Sequence, residues 1–159
     1  MFRKVLLAAA LQNWQTPNPF ALAAREVAVQ LARGSSHPLY VLTLYHHHVP
    51  AIPQNPFIGE EVIQETERLV KAEEETVRAT VEAKLRQYVQ DVESVGVAVV
   101  PLVRRGDPRD EVIRVAQEIH ADLIVIGSHS KRHLFGIGST AEAICGRSPV
   151  AVVLAAPAR

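Results

Sequence analysis

The chain has 159 residues, enough for one sizeable core and too few for two comfortable domains, so a single domain over 1–159 is expected. Its 17 Lys and Arg residues balance its 17 Asp and Glu residues, which leaves no overall field to favour nucleic acid or an anionic membrane. Cys145 is the only cysteine, so an internal disulfide is excluded and a reducing cytoplasm fits.

The first predicted element is the apolar run from Val5 to Leu11, which follows a basic start. This beginning is weakly similar to a signal peptide. However, Gln12, Asn13 and Gln15 interrupt the run far short of the roughly 20 apolar residues that a membrane span needs. A buried strand is therefore predicted here, and no membrane partner is expected.

Four further short runs are rich in Val, Ile and Leu, and each is apolar on successive rather than alternate positions. Such runs are typical of strands that are covered on both faces, as in a parallel sheet between two helix layers. The four predicted strands are 39–44, 97–103, 123–126 and 150–154.

Stretches with helical spacing of apolar residues separate these strands. Asn18 and Asp107 are predicted N-caps, and Ser139 with Glu142 is expected to form a capping box. The first three helices are predicted to begin at Pro19, Glu60 and Pro108, and the fourth is predicted to follow its cap Ser139. The alternating order predicts an α/β fold, a doubly wound five-stranded parallel sheet with helices on both faces, in a Rossmann-like arrangement.

In such a sheet, ligands bind outside the carboxyl ends of the strands, where the winding reverses. The loop after the fourth strand is the most informative one at that rim. Gly136 and Gly138 precede a helix start whose amides can face an anion, and Ser139 and Thr140 add hydroxyl groups. A phosphate cradle is one interpretation. The alternative is that the glycines only shape the turn and that Ser139 only caps its helix.

Four blocks of sequence occur in the order and nearly at the spacing of the universal stress protein family, which the chain resembles over essentially its whole length. The blocks are Gly106-Asp107-Pro108, residues 121–129, Gly138 to Glu142 and Ser148 to Val153. The resemblance implies an adenine nucleotide alpha hydrolase-like fold. It also implies a cytoplasmic stress-response regulator or sensor that binds ATP or another adenine nucleotide, with or without Mg²⁺.

Nucleotide-binding members of that family carry Gly-x-x-Gly, nine residues and then Gly-Ser or Gly-Thr around the phosphates. In this chain Ser130 stands at the second glycine, and the spacer has seven residues, so a modified and weakened site is expected. The backbone of Val41 is expected at the adenine edge. The nucleotide-binding residues that the resemblance implies are Ala8, Val41, Gly127, His129, Ser130, Gly138, Ser139 and Thr140.

The loop after the first strand departs from the family as well. Relatives usually place an aspartate there, which contacts the adenosine end of the ligand, whereas the stretch from Ala8 to Gln12 contains no carboxylate. Gln12 or Asn13 could supply a hydrogen bond instead. One missing partner in a buried site costs about 1–3 kcal/mol, so weak or differently selective binding is expected.

Two other features are assigned no chemistry. His46, His47 and His48 follow the second strand, but adjacent residues of an extended chain point to opposite faces, so no metal site is expected. The run Ser128-His129-Ser130 lacks an oriented carboxylate, so no catalytic residue is assigned and at most weak ATP hydrolysis is expected.

The last predicted strand, Val150 to Leu154, would leave an apolar edge exposed in a monomer. Members of the family commonly pair through this strand, so the resemblance implies a homodimer. The alternative function is a dimeric interaction scaffold of the same family that binds no nucleotide.

Overall fold

A computed structural model of the chain describes residues 2–13, 15–49, 51, 55–128 and 138–158. Strands and helices alternate along it. The strands are β1 (Val5–Ala9), β2 (Leu39–Tyr45), β3 (Val99–Arg105), β4 (Leu123–Gly127) and β5 (Ala151–Ala155). The helices are α1 (Pro19–Ala32), α2 (Glu60–Ser94), α3 (Pro108–Glu118) and α4 (Ser139–Arg147).

The five strands form one parallel sheet in the order β3-β2-β1-β4-β5. The chain winds outward from β1 to β3, returns to the other side of β1, and then winds outward again through β4 to β5. At the centre of the sheet, Leu7 of β1 pairs with Val41 on one side and with Val125 on the other. The predicted doubly wound α/β fold is confirmed, and its winding reverses between β1 and β4.

Helices cover both faces of the sheet, which explains why the strands are apolar on successive positions. Val5 and Leu7 belong to the core on the side of α1 and α2. Leu6, which lies between them in the strand, belongs to the core on the side of α3 and α4. Each central strand therefore contributes to two separate cores, and both cores lie directly below the carboxyl ends of the strands.

Two of the predicted helix caps are confirmed. Asn18 Oδ1 accepts a hydrogen bond from the amide of Ala21 at 2.9 Å, and Asp107 Oδ1 accepts one from the amide of Arg109 at 2.9 Å. In both helices a proline follows the cap, and its fixed φ suits the first helical position. The starts of α1 and α3 are thereby fixed at the same rim of the sheet.

Helix α2 has 35 residues, a length of about 52 Å, and it extends well beyond the sheet. Its fully buried residues all lie from Val81 onward, whereas Val62 and Leu69 are 59% and 58% exposed. Glu74 joins the exposed half to the rim, since it accepts hydrogen bonds from the Tyr45 hydroxyl and from Arg105. Among the helices of the described ranges, none is long and apolar enough to cross a bilayer.

Candidate functional site

A cavity of about 360 Å³ opens at the carboxyl ends of β1 and β4, where the winding of the sheet reverses. The residues from Ala8 to Ala10 form its floor, and the starts of three helices surround it. Those helices contribute Asn18, Pro108 and Ser139, among other residues. Because the amide ends of α1, α3 and α4 all face one cavity, their dipoles favour a negatively charged group there.

Most of the predicted site residues that the structure describes lie around this cavity. Ala8, Gly127, Gly138, Ser139 and Thr140 all line it. Val41 is fully buried in the centre of β2 and does not line the cavity, so its contact with adenine stays a prediction. His129 and Ser130 lie outside the described residues.

The start of α4 differs from the prediction. Gly138 is the N-cap, with φ at +92°, and Ser139 is already the first helical residue. The expected capping box of Ser139 and Glu142 is therefore wrong, because the serine lies one position too far inside the helix to cap it. Glycine has no side chain to accept from the first-turn amides, and no side chain of the described residues replaces it. Amides of this kind, which no described side chain caps, are typical binding groups for phosphate.

Gly127 closes the wall between β4 and α1. A Cβ atom at this position would lie 3.0 Å from the carbonyl oxygen of Phe20 and 3.1 Å from its carbonyl carbon. These are backbone atoms at the start of α1, so a side chain at Gly127 would displace the helix. Glycine thus allows α1 to approach the end of β4 closely and brings Asn18 to the cavity.

Gln12 does not line the cavity, and its side chain is bonded to the loop after β2. Its side-chain amide accepts a hydrogen bond from the amide of His46 at 2.7 Å and donates one to the carbonyl oxygen of His46 at 2.8 Å. Lys84 of α2 donates to the carbonyl oxygen of Gln12 at 2.7 Å. These bonds tie the loops after β1 and β2 to each other and to α2, and both ends of the Gln12 amide are used.

The walls of the cavity are mainly apolar. Leu44, Val112 and Ile144 line it from β2, α3 and α4, and the described lining residues include no carboxylate. The predictions from sequence did not include these apolar residues. They also assigned Asn18 only to capping, although a polar residue before a proline at the rim where ligands bind is a signal that could have placed it in the site.

Asp107 lies beside the cavity but has a structural role. Arg109 forms side-chain hydrogen bonds with it, at 2.7 Å for the shortest, and donates its backbone amide as well. These bonds, those of the side chain above all, lower the pKa of the Asp107 carboxyl to about 2. Asp107 is therefore ionised and paired at neutral pH, which makes it a helix cap rather than a general acid or base.

Asp122 and the three histidines after β2 do not line the cavity. At the opposite rim, Asp122 accepts hydrogen bonds from the amides of Arg3 and Lys4 at 2.7 and 3.1 Å, and these bonds lower its pKa. It joins the chain start to β4. Within the described part of the chain, no three histidine, cysteine or acidic side chains lie where they could share a metal ion.

The amino-acid sequence matches a known protein family over nearly its whole length. The sequence model of the universal stress protein family matches residues 1–156. The universal stress protein MJ0577 of Methanocaldococcus jannaschii is 34% identical over 74 residues, which are 44% of this chain and 46% of that protein. The aligned region thus spans less than half of the length of this relative.

Solved structures match the fold over nearly the whole chain. Hypothetical protein MJ0577 superposes with a TM-score of 0.75 at 19% identity, over 100% of this chain and 99% of that one. A universal stress protein in complex with cAMP has a TM-score of 0.67 at 20% identity, over 98% and 97%. One from Archaeoglobus fulgidus in complex with dAMP has a TM-score of 0.59 at 20% identity, over 95% of both chains. Because the family model matches all but the last three residues, the chain belongs to the universal stress protein family.

Proposed function

We propose that this protein is a cytoplasmic stress-response sensor or regulator that binds an adenine nucleotide in the cavity between β1 and β4. The phosphate lies at the start of α4, against the amides that follow Gly138. The observation that carries this proposal is the start of α4, which no side chain of the described residues caps and whose glycine has φ +92°, on the wall of a cavity at the reversal of the winding. A helix start without a capping side chain is a ready site for a phosphate group.

The size and the lining of the cavity support a small ligand with one apolar and one charged part. Its volume of about 360 Å³ falls within the range of roughly 300–1,000 Å³ that is typical of small-molecule sites. Leu44 and Val112 offer apolar surface to a base, while Ser139 and Thr140 offer hydroxyl groups near the phosphate. A nucleoside monophosphate has this division of polarity.

The ligands of two structural neighbours favour the same class. One neighbour was solved with cAMP and the other with dAMP. Each of these ligands is an adenine nucleotide with a single phosphate, and neither carries a free pair of ribose hydroxyls. A site whose described lining residues include no carboxylate lacks the strongest acceptor for such a pair, so these ligands suit this chain.

Calorimetric titration with AMP, dAMP, cAMP, ADP and ATP, each with and without Mg²⁺, tests the proposal. We expect saturable binding of one nucleotide per chain. The variant Gly138→Val should abolish this binding, because a β-branched residue is strained at φ +92° and adds bulk at a position that lines the cavity.

Gly34→Val is the matched control. Gly34 also has a positive φ, of +79°, and no atom lies within 4 Å of a Cβ placed there. The variant Gly34→Val therefore introduces similar backbone strain at a position that does not line the cavity. The proposal is supported if the wild-type protein and Gly34→Val bind the nucleotide and Gly138→Val does not. If no nucleotide produces binding heat with the wild-type protein, the proposal is wrong and the alternative of a dimeric interaction scaffold is favoured.

The proposed partner is a second copy of this chain, paired through β5. The sheet has two outer strands, β3 and β5. β3 contains Pro101, which lacks the N–H group that strand pairing requires, so its outer edge is protected against pairing. No such residue interrupts Ala151–Ala155, and pairing of two β5 strands would cover that edge.

A further inference from the structure

Asn18 has a side chain that the helix cap uses only in part. The residue is 8% exposed and lines the cavity. Its Oδ1 atom accepts the amide hydrogen of Ala21 at 2.9 Å. Because a backbone N–H can donate only to the oxygen of a side-chain amide, this bond also fixes the orientation of the amide group. The Nδ2 donor is therefore the part of the side chain that the cap leaves unused.

Nδ2 of Asn18 has no hydrogen-bond partner in the parts of the chain that the structure describes. It is also not one of the fully enclosed polar atoms, so it keeps accessible surface. Asn18 is 8% exposed and lines the cavity, so a ligand that enters the cavity can reach this nitrogen. Donors inside folded proteins are nearly always paired with protein or water, and a ligand group can take the place of that water.

Capping alone does not require this nitrogen. Serine, aspartate and asparagine cap helices about equally well, since each offers an oxygen to the first-turn amides. Asp107 does so at the start of α3, with a carboxylate that Arg109 neutralises. An aspartate at position 18 would instead direct a negative charge into the cavity. Among these three capping residues, asparagine alone carries an uncharged donor on an atom other than the capping oxygen.

We propose that Asn18 Nδ2 binds a phosphate oxygen of the ligand, opposite the amides at the start of α4. Gly127 lies against the backbone of Phe20, so the start of α1, with Asn18, is held at the end of β4. The phosphate is thus held between two helix starts, one of which contributes main-chain amides and the other a side-chain amide. This inference rests on the proposed function, and it makes phosphate the group that the site recognises.

Two variants keep the cap and remove the amide nitrogen. Asn18→Ser retains an oxygen for the Ala21 amide, and its only donor hydrogen lies on that capping oxygen rather than at the position of Nδ2. Asn18→Asp is nearly isosteric but replaces the donor by a negative charge. We expect AMP to bind about 10–100-fold more weakly to Asn18→Ser, because a hydrogen bond to a charged group is lost. Asn18→Asp should bind AMP at least about tenfold more weakly again, because two like charges would then meet.

Adenosine and a second cap provide the controls. Adenosine lacks the phosphate, so its affinity should change by less than about twofold in either Asn18 variant. Asp107→Asn alters the residue that caps α3. The side chain of Asp107 does not line the cavity, so this variant should leave the affinity for AMP unchanged. The melting temperatures of all three variants without ligand show whether the caps are intact.

The outcomes separate this inference from the proposed function. If the wild-type protein binds AMP and both Asn18 variants bind it equally well, the inference is wrong and the proposed function stands. If the affinities of the variants for adenosine and for AMP fall by the same factor, Asn18 recognises another part of the ligand and the inference is also wrong. If the wild-type protein binds no nucleotide, the proposed function fails and the role of Asn18 fails with it.

Discussion

Replacing Ala10 by aspartate should add a contact with the ribose of the proposed ligand. Ala10 follows β1 directly, is exposed and lines the cavity, and in the proposed binding mode the loop after β1 lies at the adenosine end. A hydrogen bond to a charged acceptor contributes about 1.5–3 kcal/mol when it is protected from water. Since Ala10 is exposed, we take the lower value, which corresponds to roughly a tenfold gain in affinity.

Calorimetric titration of Ala10→Asp with AMP and dAMP measures this gain. A carboxylate can only accept, so it gains most from a ribose that offers two neighbouring hydroxyl groups. The affinity for AMP should therefore rise about tenfold and that for dAMP by less. Asn13→Asp is the control, because Asn13 lies in the same loop and does not line the cavity. An equal gain in both variants, or none in Ala10→Asp, would refute the assignment of this loop to the adenosine end.

Three further predictions concern stability and assembly. Tyr88 is fully buried and donates its hydroxyl hydrogen to the carbonyl oxygen of Ala21 at 2.6 Å. Tyr88→Phe should therefore lower the free energy of unfolding by about 1 kcal/mol in urea titrations. An unchanged unfolding midpoint would contradict this. The pKa of Asp107 is lowered from its ordinary 3.8 to about 2, so its pairing with Arg109 stabilises the folded state above about pH 4 and is lost as the pH falls toward 2. The melting temperatures of wild-type protein and Asp107→Asn should therefore converge over that interval, and a constant difference between them would exclude the pair as the cause. Val152→Lys should convert the proposed dimer to a monomer in light scattering, whereas a folded variant that remains dimeric would exclude β5 as the interface.

Much of the fold could be predicted from local patterns in the sequence. Continuous apolar runs predicted the strands, and prolines behind Asn18 and Asp107 predicted two helix starts, because both signals depend only on neighbouring residues. The burial of α2 could not be predicted in this way. Its apolar stripe continues from Val62 to Val92, but the sheet is too short to cover the first half. How far a helix extends past its sheet depends on tertiary structure, not on periodicity.

Some residues of the candidate site could also be predicted from local sequence, whereas others depend on tertiary structure. The glycines and hydroxyl residues of the loop after β4 carry a local signal, and Gly138, Ser139 and Thr140 do line the cavity. The role of Gln12 has no local signal, because its partners His46 and Lys84 lie 34 and 72 positions away along the chain. The open donor of Asn18 also depends on tertiary structure, since only the packing of α1 against β4 brings that residue to the cavity.

The two ends of the proposed site depend on different kinds of groups, and this difference determines how the ligand would be recognised. At the phosphate end, the donors are main-chain amides behind Gly138 and a side-chain amide whose orientation the cap of α1 fixes. Substitutions elsewhere in the sequence leave such groups in place. At the adenosine end, the loop after β1 offers alanines, and Gln12 is bonded to His46 instead. Recognition should therefore depend strongly on the phosphate and weakly on the ribose, which is the order of sensitivity that the Asn18 and Ala10 variants measure separately.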